Sequence, residues 1–220
     1  MPIKKENDNR VNRSAYYQKM RTLALSKRAK YGIETCTLNI PVVQRIYKEE
    51  GIVIDRRDIK RRRIRAAYFC EDDDYSVLLN KNLPRIPKLF ALVHELKHHY
   101  EDRLIIQSGE IRCGDYNKNE FIEISAEVFA AEFIYPESEM RSLANELGIK
   151  ESTCTPEKII DFKRTCQALV SYTFIVKRFE WFGYCQRGEY KKVQFQKLEE
   201  EIYGLPIYKQ PWFKQSRLKK

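Results

Sequence analysis

Two histidines and a glutamate fall together in His94-Glu95-Leu96-Lys97-His98. Residues four apart on an α-helix project from one face, so His94 and His98 can grip a single ion. Neutral imidazole suits zinc at about 2.0–2.1 Å, and a catalytic zinc keeps three protein ligands while its fourth position stays open to water. Glu95, one residue past the first histidine, is rotated off the coordination sphere yet close enough to take a proton from water attacking a carbonyl. The pattern points to metal-assisted hydrolysis, with Zn2+ as cofactor, His94 and His98 as metal ligands and Glu95 as the catalytic base.

A third ligand is expected on a second helix, from Glu120 to Ile134. Two of its four glutamates, Glu123 and Glu127, stand amid Phe121, Ile122, Ile124, Val128, Phe129 and Phe133. An ionised carboxylate buried without compensation costs on the order of several kcal/mol, which a metal or a metal-bound histidine offsets. Ala126 and Ala130 leave a narrow helical face that another helix can approach closely. Glu123 is assigned as the ligand and Glu127 as the outer acceptor for the remaining N–H of a ligating histidine, although the two roles could be exchanged. His99 points about 100° away around the helix and is left out of the site.

These side chains must be held by a helix from about Pro87 to Asp102, with Leu89, Phe90, Val93 and Leu96 as its apolar stripe. Upstream, an amphipathic helix is expected over 12–30, and a second is capped by Asn39, with Pro41 in its first turn and Gly51 at its end. Ile52–Asp55, Ile64–Cys70 and Tyr75–Leu79 are rich in β-branched and aromatic residues, and Glu71–Asp74 is a turn. A small antiparallel sheet is therefore expected. Residues 108–119 read as a loop, and further helices as 139–147, 156–168 and 171–182. The fold class is α+β, with a domain over 12–138, a helical part over 139–203 and a basic, extended tail over 204–220.

The chain has 220 residues, 43% of them hydrophobic, enough to pack a core. No stretch approaches the roughly eighteen apolar residues a membrane span needs, and the N-terminus is polar. Six cysteines are scattered without a C-x-x-C pair, as expected of reduced thiols in a cytoplasmic protein. The net charge of +10 concentrates in RRDIKRRRIR, where Arg56, Arg57, Lys60, Arg61, Arg62, Arg63 and Arg65 form a surface suited to nucleic acid or an acidic partner, if not simply a solvated face.

LFALVHELKHHYED followed by EISAEVFAAEFIYP resembles the ImmA/IrrE family of bacterial metallopeptidases, and the likeness extends over about residues 12–183. It implies a zincin-like domain in which His94, His98 and Glu123 hold zinc and Glu95 is catalytic. The family typically has Gly where Lys97 stands and Asn where Glu127 stands. Its known members cut a partner transcriptional repressor, which implies a similar protein substrate here. Such a peptide could add a strand to a sheet edge near Tyr75–Leu79. The alternative is a zinc-binding regulator that docks on DNA or a repressor without proteolysis. Such a structural site would close with four protein ligands.

Overall fold

The structure is a computed structural model that describes residues 3–60, 64–110, 120–206 and 209. The chain divides into two units, Met1–Met140 with Gln167–Leu169, and Arg141–Cys166 with Val170–Lys220. The first unit opens with helix α1 (Ile3–Lys30) and α2 (Ile40–Glu49). Asn39 caps α2, its side chain accepting from the Val42 N–H at 3.1 Å, and Pro41 occupies the first turn, where its missing N–H costs nothing. Gly51, at φ 70°, then turns the chain into strand β1 (Ile52–Arg57).

Strands β2 (Ala66–Glu71) and β3 (Asp74–Asn80) form a tight hairpin with Glu71 opposite Asp74. Asp72 takes a left-handed φ of 47° at its tip, a conformation Asp tolerates. The acidic run is thus the hairpin turn. The strand order is β1-β3-β2, with β2 antiparallel and β1 parallel to β3. The sheet is therefore mixed rather than antiparallel throughout. The short β2–β3 turn dictates antiparallel pairing, whereas β1 reaches β3 only after the chain has passed through β2, and residue alternation carries no direction. A second correction follows from the order. Tyr75–Leu79 lies in the central strand, paired on both sides, so it cannot accept an added peptide strand, and the edges are β1 and β2.

After the sheet, α3 (Arg85–Lys97) runs into a π turn (His98–Asp102) and then a short helix α4 (Arg103–Gln107). Helix α5 (Glu120–Ile134) packs against both α1 and α3 and stops before Pro136. Met20 and Ala24 of α1, Leu89, Leu92, Val93 and Leu96 of α3, and Ala126, Phe129, Ala130 and Phe133 of α5 are wholly buried. The inner face of the sheet adds Tyr68, Val77 and Leu79. Arg28, itself buried, donates to the carbonyls of Phe133 at 2.7 Å and Thr35 at 3.0 Å, so it satisfies the C-terminal end of α5.

Helix α6 (Glu137–Glu146) leads into the second unit, which continues with α7 (Pro156–Thr165), α8 (Tyr172–Phe182) and α9 (Phe195–Tyr203). Thr155 and Ser171 cap α7 and α8, and Gly183 at φ 75° ends α8. Phe162 and Phe179 meet edge to face at 5.0 Å in its core. Helix α9 was not anticipated from the sequence, although Phe195 at its start is buried and stacks on Tyr172 at 4.9 Å. No helix among the described residues is long and apolar enough to cross a membrane.

Candidate metal centre

His94 and His98 lie one turn apart along the helix, with their Nε2 atoms 3.3 Å from each other. Helix α5 brings Glu123 across to them, its Oε2 3.1 Å from His94 Nε2 and its Oε1 4.0 Å from His98 Nε2. One ligand atom from each of the three lies within 4.8 Å of the others. Donors held at about 2.0–2.1 Å around one tetrahedral ion stand about 3.3 Å apart, so the separations of 3.3 and 3.1 Å fit a zinc-sized cation. His98 and Glu123 are buried and His94 nearly so.

The charge balance points the same way. Burial alone would lower the His94 pKa, but the hydrogen bond to Glu123 and the charges of Glu95, Glu123 and Glu127 outweigh it and raise it. Imidazoles that draw positive charge from surrounding carboxylates occupy a place suited to a cation.

Glu95 is buried and outside the donor group. The main chain of Tyr68 on β2 lies near its carboxylate, whose Oε2 has no hydrogen-bond partner. Burial raises its pKa, and the neighbouring histidines pull the other way. A buried carboxylate with an unsatisfied oxygen, beside the donor group, is equipped to take up a proton.

Two residues at this site escaped the sequence reading. Asp102 Oδ2 lies 2.7 Å from His98 Nδ1, and Lys97 Nζ donates to the same oxygen at 2.6 Å. The outer acceptor of His98 is thus Asp102, while Glu127 acts on His94 through its charge. Tyr68 contributes a main-chain group, which side-chain chemistry cannot signal. His99 faces away from the donors, with Nδ1 3.0 Å from the Tyr68 hydroxyl and Nε2 3.5 Å from Glu50.

The basic segment lies apart from these donors in the chain. Arg56 and Arg57 end β1, and they, Lys60 and Arg65 are exposed, with Arg57 paired to Asp55 at 2.9 Å. Arg61, Arg62 and Arg63 lie outside the described residues, as do 111–119 of the expected loop and most of the tail.

Residues 47–167 match the family model described as the IrrE N-terminal-like domain, a peptidase family, over more than half of the chain. The chain belongs to this family. The IrrE-like match spans the sheet, α3 and α5, and so contains His94, Glu95, His98 and Glu123. The α+β domain is accordingly a zincin-like metallopeptidase domain. A comparison with curated proteins gives no match.

Proposed function

We propose that the protein is a zinc endopeptidase that cuts a repressor-type regulatory protein in the cytoplasm, with His94, His98 and Glu123 as zinc ligands and Glu95 as general base. The observation that carries this reading is the pairing of a three-donor cluster with a buried carboxylate outside it. A structural zinc closes with four protein ligands. Three donors among the described residues, together with an unsatisfied Glu95 Oε2, support a site that leaves room for a reactant.

Zinc held by these donors supplies Lewis acidity, which acidifies water and polarises a carbonyl. Glu95 takes the proton released as water adds to the scissile carbonyl and passes it to the departing amine nitrogen, so that water is consumed and two chain ends form. Burial favours the protonated form of Glu95 and so suits it to retain the proton between these two transfers. Glu127 is proposed as the acceptor that orients His94.

The metallopeptidase domain is proposed as residues 12–138, followed by the helical part over 139–203 and the tail over 204–220. The exposed basic residues Arg56, Arg57, Lys60 and Arg65 suit an acidic face of the substrate, and nucleic acid is the secondary candidate.

The test is metal analysis together with cleavage of a repressor encoded near this protein. Wild type should carry one zinc and cut, Glu95→Gln should carry zinc without cutting, and His98→Ala should lose the metal. Cleavage that survives Glu95→Gln, or a wild type without zinc, would overturn the reading in favour of a regulator that binds without proteolysis.

A further inference from the structure

In an α-helix, positions five apart point about 140° away from each other. The π turn His98–Asp102 changes that local geometry, because its wider i→i+5 winding brings such positions nearer to one face. Asp102, four residues after His98, faces inward, where one of its oxygens meets both Lys97 Nζ at 2.6 Å and His98 Nδ1 at 2.7 Å. All three residues are at most 1% exposed. Lys97 also reaches toward the Ile122 carbonyl at 3.5 Å, one residue before Glu123. The buried cation therefore sits between the acceptor behind His98 and the turn that carries the third donor.

We infer that Asp102 is a positioning residue for the metal centre, which holds the His98 ring proton on Nδ1 so that Nε2 is free to bind the ion, and that Lys97 keeps this carboxylate in place. The argument follows from the chemistry of the pair. A buried carboxylate is costly alone, and Lys97 offsets that cost. An ionised acceptor at Nδ1 fixes ring orientation and makes Nε2 a better donor. Had the ion pair only a packing role, nothing would require Asp102 to share its oxygen with a histidine whose other nitrogen points at the donor cluster.

This role rests on the zinc reading above, and the experiment separates the two. Wild type, Asp102→Asn and the double variant Lys97→Met/Asp102→Asn are compared by zinc dissociation constant, from competition with a chromophoric chelator, and by urea unfolding of the metal-free protein. Asp102→Asn leaves Lys97 unpaired, so both stability and affinity should fall. The double variant leaves no unpaired charge and should recover the wild-type unfolding midpoint, yet still bind zinc about 10–100-fold more weakly. Recovery of wild-type affinity along with stability, or wild-type affinity in Asp102→Asn, would overturn the positioning role alone. A wild type that binds no zinc would overturn the site reading and this role with it. Nitrogen chemical shifts of His98 in the zinc-loaded wild type give a check that needs no variant. The role requires metal on Nε2 and a proton on Nδ1, and zinc on Nδ1 would overturn it.

Discussion

The main chain of Tyr68 on β2 faces the carboxylate of Glu95 on α3 and works against the rise in pKa that burial causes there. The Asn80 N–H donates to the Arg65 carbonyl, so odd-numbered residues of β2 face β3 and Ala66, Tyr68 and Cys70 turn their N–H and C=O groups to the open edge. The edge of the sheet and the proposed base are thus in direct contact. A peptide that adds to this edge would run beside Glu95.

Proline at an edge-facing position removes an outward N–H and leaves the ladder to β3 intact. Ala66→Pro should therefore fold normally and raise KM for the protein substrate. Ala67→Pro, which removes a ladder donor, should instead lower the unfolding midpoint. Undiminished cleavage by a well-folded Ala66→Pro protein would rule out strand addition at β2.

Glu95→Gln keeps the size and shape of the side chain, but it cannot take up a proton at neutral pH. The cleavage rate should fall by about 10²–10⁴-fold, the usual worth of general acid–base catalysis, with zinc content unchanged. A small fall in rate would mean that another group carries the proton.

Acid should weaken the fold through His99. Burial pushes its pKa below the ordinary 6.5, a shift that Glu50 only partly offsets. Below pH 6.5 the unfolded chain binds a proton there that the folded chain does not, so this contribution is present above pH 6.5 and is lost as pH falls toward the lower folded value. Burial raises the pKa of Glu50, but its hydrogen bonds to Lys30 and Tyr31 prevail and lower it. That adds a second loss as pH falls below 4.5. In His99→Gln, unfolding free energy measured against pH should decline less steeply below 6.5, while an unaltered slope would show that other groups set it.

Arg28→Met should destabilise the first unit. It removes the donors to the Phe133 and Thr35 carbonyls, and a buried acceptor left unsatisfied costs about 1–3 kcal/mol. Urea unfolding reads this directly, and a wild-type midpoint would mean that water or another donor replaces the guanidinium.

Local spacing made much of the centre legible. His94 and His98 share a helical face because they are four residues apart, and a carboxylate such as Glu123 amid the apolar residues of a second helix called for a cation. The structure brings His94, His98 and Glu123 into one donor group. The hairpin was equally legible, since four consecutive acidic residues between two β-rich runs leave little but a turn. Asn39 and Pro41 announced α2 for the same reason, because capping acts within a few residues.

What escaped depends on partners distant in the chain or on a change of helical pitch. The direction of β1 depends on the path taken after it leaves its own residues, so alternation could suggest a strand but not parallel pairing. The meeting of Tyr68 with Glu95 joins a backbone group to a side chain across two elements, and backbone groups are the same at every residue. Asp102 was hidden differently. Its four-residue spacing from His98 puts those two on one face of any helix, but on an α-helix it would point well away from Lys97, and the π turn brings the three together. Short-range geometry and the cost of burying charge can be read along the chain, whereas pairing direction, edge exposure and the local winding of a helix are fixed by packing in three dimensions.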